Sequence, residues 1–302
     1  MLVTAAAALV AVLAATPAAR AETLVLGTVG MDIKARMKEH EGLARYLQEQ
    51  LASSGIDKVE VAIMPTSAKM TDALRTGAVH LLFESPLVAA KIAQDGAALP
   101  MLRRWRKGVA EYWSEIVVPS ESPVRSLEDL RGRIIAFEDP DSTSGHLLPR
   151  AVLLERGLEV ELLKRWTDPV DPKKVGAVFT LSDKGSILML FDGRVAALAT
   201  DPLYVKRVEE ARPGALRSIA RSITVPRHVV MRSVAMSEER AKRIADVLTG
   251  MYDTEEGRRV LAQFRETDRF DAFPEGMEAT FAPLKAQLQV LEAGASLVTG
   301  TQ

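Results

Sequence analysis

A short polar turn, Asp139 to Gly145, carries three consecutive hydroxyl side chains: Ser142, Thr143 and Ser144. These residue types favour the start of a helix, because a side-chain oxygen can accept a hydrogen bond from a free backbone N–H group. A helix N-terminus with extra hydroxyl donors also suits an anion, since the donors converge and the helix dipole favours negative charge. An ordinary helix cap and an anion-binding site are therefore the two interpretations of this turn.

The elements around the turn are those of an α/β ligand site. Arg133 to Phe137 predicts a strand, and Leu147 to Glu155 predicts a helix. The turn then lies at the carboxyl end of a strand, where open α/β sheets bind their ligands. Ser142, Thr143 and Ser144 are accordingly candidate ligand contacts.

A second candidate position is Glu84-Ser85, between a predicted strand, Val79 to Phe83, and a helix that begins at Pro86. Ser85 can cap the helix or donate to a ligand. Glu84 would repel an anion, so it either binds a cationic group of the same ligand or pairs with a nearby arginine. The sequence leaves these two interpretations open.

Three more residues are candidate ligand contacts: Arg104, Tyr112 and Asp183. Arg104 offers a charge-assisted contact to an anion. Tyr112 lies among aromatic residues that suit an ammonium group, although core packing explains such rings equally well. Asp183 either contacts the ligand or caps a helix.

The composition excludes several classes of function. The chain has no cysteine, and its formal net charge of −1 gives no support for nucleic-acid binding. The four histidines are far apart in sequence and show no metal-ligand spacing. No nucleophile–base set or nucleotide-type glycine loop is present. We therefore expect neither an enzyme nor a cofactor nor a metal site.

The N-terminus has the pattern of an export signal. An apolar run from Ala5 to Ala15 is followed by Ala19-Arg20-Ala21, which resembles a cleavage site. The run is short for a membrane span. Residues 1–21 are therefore predicted to be a signal peptide, and the mature protein is expected in the periplasm.

Strand and helix patterns alternate along the rest of the chain, which predicts an α/β protein. A break near Val118 and a return near Val225 divide the chain into two units. We predict lobe 1 over residues 22–117 and 226–302, and lobe 2 over residues 118–225. The C-terminal region is predicted to be helical, with Thr267 to Phe273 as a loop.

The segment Asp139-Pro140-Asp141-Ser142-Thr143-Ser144-Gly145 is similar to the Asp-Pro-x-Ser-Thr-Ser-Gly turn of the phosphonate-binding periplasmic proteins of ABC transporters. The resemblance implies a two-lobed, type II-like α/β fold with a mixed sheet in each lobe and two hinge crossings. It also implies that the Ser-Thr-Ser side chains hold phosphonate oxygens and that carboxylates hold a ligand amine. At about the position of Asp183 the family often has a histidine, so the chain departs from the pattern there.

The resemblance also implies a transport function. The expected partners are a small anionic solute and an ABC permease in the inner membrane, and the protein is expected to be a monomer. A ligand sensor for a membrane histidine kinase is the alternative. An enzyme that binds a substrate phosphate is a further alternative, which the missing catalytic residues disfavour.

Overall fold

The computed structural model describes residues 22–30 and 32–299, and the predicted signal peptide lies outside these residues. In that part of the chain no helix combines the length and the apolar character that a membrane crossing requires.

The described chain alternates strands and helices. The strands are β1 (Glu22–Val29), β2 (Ile56–Met64), β3 (Leu81–Glu84), β4 (Ala98–Arg106), β5 (Glu111–Tyr112), β6 (Glu115–Pro119), β7 (Ile134–Phe137), β8 (Val160–Leu162), β9 (Val175–Phe179), β10 (Ala197–Thr200), β11 (Leu216–Arg221), β12 (Val225–Pro226), β13 (His228–Ser233) and β14 (Thr267–Asp271). The α-helices are α1 (Ile33–Leu51), α2 (Ser67–Arg75), α3 (Pro86–Gln94), α4 (Leu148–Glu155), α5 (Asp183–Phe191), α6 (Pro202–Ala211), α7 (Glu238–Gly250), α8 (Glu255–Gln263) and α9 (Met277–Thr299).

The strands form two mixed sheets of six strands each. Lobe 1 has the order β14-β4-β13-β3-β1-β2, in which β1 is parallel to β2 and β3, and β13 is antiparallel to β3 and β4. Lobe 2 has the order β11-β6-β10-β7-β9-β8, in which β7 is parallel to β9 and β10, and β6 is antiparallel to β10 and β11. The predicted two-lobed α/β fold is confirmed.

Two short strands connect the lobes. β5 and β12 pair in antiparallel fashion, with Val225 opposite Tyr112. The next strand, β6, already belongs to the sheet of lobe 2, so the predicted boundary after Val117 falls inside that strand. The side chains of Ile116, Val117 and Val118 are buried in lobe 2, which explains why the chain enters this sheet earlier than the pattern suggested.

The C-terminal helix α9 packs against both lobes. Its Leu284 and Leu288 lie in one apolar cluster with Leu87 of α3 and Ala151 of α4. Gln287 Nε2 donates to Glu155 Oε1 of α4 at 2.8 Å. The helix therefore forms a third connection between the lobes, in addition to the two crossing strands.

The predicted loop at residues 267–273 is wrong for its first five residues. β14 occupies Thr267–Asp271 and pairs with β4 at the edge of the lobe 1 sheet. Phe270 provides the physical reason, because its side chain is buried in the lobe 1 core and contacts the ring of Phe83.

His40 of α1 is completely buried beside this core. Its Nδ1 donates to the carbonyl oxygen of Arg36 at 2.8 Å, and its ring contacts Phe264 edge-on. Burial lowers the pKa of His40 to about 4, and the positive charges of Arg265 and Arg104 act in the same direction. The folded protein therefore keeps this histidine neutral.

We expect the free energy of unfolding to fall as the pH is lowered from 7 to 5. An unfolded His40 gains a proton near pH 6.5, whereas the folded one does so only near pH 4. The unfolded state thus binds more protons in this window, at a cost of at most about 1.4 kcal/mol per pH unit for one histidine. Urea unfolding at pH 7, 6 and 5 measures this slope. His40→Gln should make it shallower, and an identical slope in the variant would contradict the assignment.

Candidate functional site

A cleft of about 580 Å³ lies between the two lobes. On the lobe 2 side it is lined by the segments that follow β7, β9 and β10. Those strands are mutually parallel, so their carboxyl ends meet at one edge of the sheet. The lobe 1 side is lined by the ends of β1, β3 and β4 and by the start of the antiparallel β13. Both sheets therefore present their ligand-binding edges to the same cleft.

Four side-chain hydroxyls meet in the cleft, and we call them the hydroxyl cluster: Ser85, Tyr112, Thr143 and Ser144. The Tyr112 hydroxyl shares hydrogen bonds with the side chains of Thr143 and Ser144, and burial raises the pKa of this tyrosine. Leu87 N donates to Thr143 Oγ1 at 3.4 Å across the cleft. The first turn of α3 in lobe 1 therefore faces the Ser-Thr-Ser turn of lobe 2.

The helix after the Ser-Thr-Ser turn begins with a π-helical segment, Thr143–Leu147, that continues directly into α4. Ser142 is its N-cap, since its Oγ accepts from Gly145 N at 3.0 Å and donates to Glu138 Oε2 at 2.7 Å. The Ser142 hydroxyl is thus engaged within lobe 2. The helix-cap interpretation therefore holds for Ser142, and it leaves the hydroxyls of Thr143 and Ser144 available for the predicted ligand contacts.

Several donors of the hydroxyl cluster have no acceptor among the described residues. The backbone N–H groups of Thr143 and Ser144 have none, because they precede the first hydrogen-bonded turn of their helix. The Ser85 Oγ is buried without a partner, although Ser85 is the N-cap of α3. Buried donors of this kind are rare in proteins and identify a place where a ligand or water completes the hydrogen bonding.

Lobe 2 contributes five carboxylates to the cleft lining: Glu138, Asp139, Asp141, Asp183 and Asp201. We call three of them, Glu138, Asp183 and Asp201, the acidic wall. Burial raises the pKa of Glu138, and the negative charge of Asp183 raises it further. The pKa of Asp183 is also raised by burial, against the hydrogen bond that Thr200 Oγ1 donates to its Oδ1 at 2.7 Å. Within the described residues no group of acidic or histidine side chains is arranged to hold a metal ion.

Lobe 1, together with the start of β13, presents five cations, which we call the basic wall: Arg36, Arg106, Lys107, Arg227 and Arg265. The sequence analysis missed all five, since they come from four distant segments and carry no local motif. It named Asp183 but not Glu138 or Asp201 as contacts. Their position directly after predicted strands was the available signal.

The structure brings seven of the eight predicted contacts to the cleft lining: Glu84, Ser85, Tyr112, Ser142, Thr143, Ser144 and Asp183. Arg104 is the exception, because its side chain is fully buried inside lobe 1. Its Nε donates to Thr267 Oγ1 at 2.8 Å, and its guanidinium lies 4.4 Å from the centre of the Phe264 ring. The β14 strand, which the sequence analysis placed in a loop, supplies this partner.

Glu84 lies at the cleft edge of lobe 1. Its Oε1 accepts a hydrogen bond from Ser85 N at 2.7 Å. Burial lowers the pKa values of Arg104 and Arg265, and the Glu84 charge opposes this effect at both residues. Glu84 is therefore close enough to both arginines for its charge to act on them, although no ion pair joins it to either within the described residues.

The Ser85→Ala substitution is expected to leave the ligand-free protein as stable as before, because the hydroxyl it removes has no partner. The matched control is Ser114→Ala. Ser114 Oγ donates to the carbonyl oxygen of Ser144 at 2.6 Å, so its loss should cost about 1–3 kcal/mol. Thermal unfolding without ligand compares the two variants. Equal destabilisation by both substitutions would show that the Ser85 hydroxyl is bonded in the free protein.

The sequence matches one protein family, described as the periplasmic substrate-binding protein of phosphonate ABC transporters, over residues 32–275. It is also similar to the phosphate-import protein PhnD of Mycolicibacterium smegmatis, with 25% identity over 227 residues. That match covers 72% of this chain and 68% of the relative.

Solved structures show the same fold. XAC2383 from Xanthomonas citri, solved with bound ATP, superposes with a TM-score of 0.82 at 25% identity and covers 89% of this chain and 98% of that one. PhnD1 from Prochlorococcus marinus, in complex with methylphosphonate, gives a TM-score of 0.64 at 16% identity over 89% of this chain and 98% of that one. The second likeness supports the fold alone.

Proposed function

Because the chain belongs to the family of periplasmic substrate-binding proteins of phosphonate ABC transporters, we propose that its hydroxyl cluster binds the phosphorus oxyanion of a small solute. The family works with an ABC permease, to which the loaded protein delivers its ligand. The observation that carries the proposal is the set of donors without acceptors at this place: Ser85 Oγ, Thr143 N and Ser144 N.

A tetrahedral oxyanion is the chemical group that these donors fit. It presents several oxygen acceptors within a small volume and needs donors from several directions. Hydroxyls and helix N-terminal N–H groups supply them without the cost of burying a cation. Two helix N-termini, one from each lobe, face this point, and both dipoles favour negative charge there. Similar XAC2383 was solved with ATP, whose phosphates offer the same type of acceptor.

The acidic wall supports a second part of the proposal, an ammonium group on the ligand. Burial disfavours the charged forms of Glu138 and Asp183, and a neighbouring negative charge adds to this, from Asp183 at Glu138 and from Asp201 at Asp183. A ligand cation placed between them would relieve both effects. We therefore infer that aminoalkylphosphonates belong to the ligand class. No observation on the described residues favours the sensor-kinase alternative.

Methylphosphonate is the probe for the hydroxyl cluster. We expect Thr143→Val to weaken its binding about ten- to a hundredfold, because a hydrogen bond to a charged group is worth about 1.5–3 kcal/mol. Valine keeps the branched shape of threonine, so the loss reports the hydroxyl. Titration calorimetry measures the Kd.

Thr249→Val, which alters a hydroxyl on α7 that bonds only to its own helix, is the matched control and should leave the Kd unchanged. Unaltered affinity of Thr143→Val would remove the hydroxyl cluster from the binding site. Binding of sulfate but of no phosphorus anion would contradict the ligand class.

The acidic wall is tested by Asp183→Asn with two ligands that differ in one amine. Binding of 2-aminoethylphosphonate should weaken about tenfold, because the ligand cation loses a desolvated carboxylate. Ethylphosphonate, which is the same ligand without the amine, should bind at least as well as before, since a like charge has been removed.

Asp192→Asn, at the exposed end of α5, is the control for the lost charge. If Asp183→Asn weakens both ligands to the same extent, Asp183 supports the fold of the site and does not contact an amine.

A further inference from the structure

The basic wall is a feature of the cleft to which the proposed phosphonate and ammonium contacts assign no role. Its members come from the first turn of α1 (Arg36), the end of β4 (Arg106 and Lys107), the segment before β13 (Arg227) and the segment before β14 (Arg265). The fold thus gathers five positive side chains around one cavity. Holding them together is unfavourable unless negative charge is supplied nearby.

Six carboxylates line the same cleft, but few of them form close ion pairs with these cations in the described structure. Glu39 Oε2 is shared by Arg36 Nη1 at 3.0 Å and by Arg265 Nε at 3.6 Å. Glu266 Oε2 is shared in the same way by Arg106 Nη2 at 3.8 Å and by Lys107 Nζ at 3.5 Å. Four cations therefore share two carboxylates, and three of these four contacts are longer than a hydrogen bond.

The cations are also partly removed from water. Burial lowers the pKa of Arg106 to about 10, and the charges of Arg265 and Arg227 contribute to this shift. Arg227 is only 5% exposed, and its buried Nε has no partner in the described chain, although its Nη2 bonds to Asp201. Burial also lowers the pKa of Arg265. Such a group gains free energy when an anion enters.

Ion pairs between the two lobes neutralise only one cation of the basic wall in the described structure. Arg227 and Asp201 form an ion pair at 3.2 Å, but the other four cations have no lobe 2 carboxylate within 4 Å in the described structure. Lobe contact therefore leaves most of the positive charge facing the cleft.

The backbone makes room for one of these side chains. A β-carbon on Gly30, at the end of β1, would lie 2.6 Å from Arg36 Nε. The absence of a side chain at this position lets the Arg36 guanidinium lie against the end of the strand, where it lines the cleft.

We propose that the basic wall binds a second anionic group of the same ligand. This inference rests on the proposed function, because it takes the first anion to be held by the hydroxyl cluster. The natural ligand then carries a phosphonate or phosphate together with a carboxylate or a second phosphoryl group. An ammonium group between them would face the acidic wall.

The test compares ligands that differ in one anionic group. Phosphonoacetate, 3-phosphonopropionate and pyrophosphate carry two anions, whereas methyl-, ethyl- and propylphosphonate carry one. We expect at least one two-anion ligand to bind about tenfold or more tightly than its one-anion counterpart, as charge-assisted hydrogen bonds provide. The carboxylate and phosphoryl arms identify the chemistry of the second group.

Variants test whether the basic wall causes the tighter binding of two-anion ligands. In Arg36→Gln and in Lys107→Gln, the Kd of the one-anion ligand divided by the Kd of its two-anion counterpart should fall at least fivefold. Arg259→Gln removes an exposed arginine of α8, 70% accessible, and should leave the ratio unchanged. Circular dichroism and the melting temperature verify that each variant is folded.

Each outcome bears on one proposal or the other. Tight binding of methylphosphonate with no gain for any two-anion ligand would overturn the basic-wall proposal and leave the proposed function intact. A gain that persists in both wall variants would also overturn it. Binding of two-anion ligands without any binding of methylphosphonate would support the wall and contradict the role of the hydroxyl cluster. Failure of every phosphorus ligand would overturn both.

Discussion

The cleft contains hydrogen-bond donors that lie between the two lobes and have no acceptor among the described residues. These donors are the main physical constraint on what the cleft can bind. A helix leaves its first N–H groups unpaired, and a chain normally satisfies them with a cap or exposes them to water. Here Ser142 caps one N–H group of the π-helical segment that leads into α4, while the N–H groups of Thr143 and Ser144, which line the cleft, have no acceptor among the described residues. The Ser85 hydroxyl adds a third donor without a partner, from the opposite lobe. An anion with several oxygens is the simplest partner that satisfies donors from both lobes at once.

The fold brings these donors together through connections that are few and short. Two paired strands, β5 and β12, carry the chain between lobes, and Tyr112 of β5 places its ring under Arg227 at 4.3 Å. Cross-lobe hydrogen bonds join Ser67 to Asp141 and Ser114 to the Ser144 carbonyl. Helix α9 packs against both lobes behind α3. The relative position of the lobes is thus set by the crossing strands on one side and by an apolar contact on the other.

The sequence predicted the parts of the site that depend on local pattern. A strand followed by a polar turn and a helix is legible in about twenty residues, so the Ser-Thr-Ser turn and the Glu84-Ser85 position were found. Arg104 was misjudged because the direction of a strand side chain depends on its neighbours, and its partner Thr267 lies on a strand that the pattern did not indicate. The basic wall could not be predicted, since Arg36 and Arg265 meet only through the packing of α1 beside the segment that precedes β14. The sequence likewise did not reveal that the chain passes to the sheet of lobe 2 at Ser114, because strand pairing and not composition decides which sheet a strand joins.

The arrangement of charge separates the strength of binding from its specificity. The hydroxyl cluster is neutral, so it can hold a phosphoryl group of any solute and cannot by itself distinguish one from another. The acidic and basic walls lie around it on opposite lobes, and they meet directly in the ion pair of Arg227 and Asp201. A ligand substituent of one sign neutralises charge on only one wall, and the like charges of the other wall continue to repel one another. A substituent that presents both signs relieves both walls. It adds negative charge where four cations share two carboxylates, and it adds positive charge where burial and the charge of Asp183 disfavour the ionised form of Glu138. Under the proposed function, discrimination among solutes therefore depends on these side chains around the hydroxyl cluster, which can change in sequence while the Ser-Thr-Ser turn stays the same.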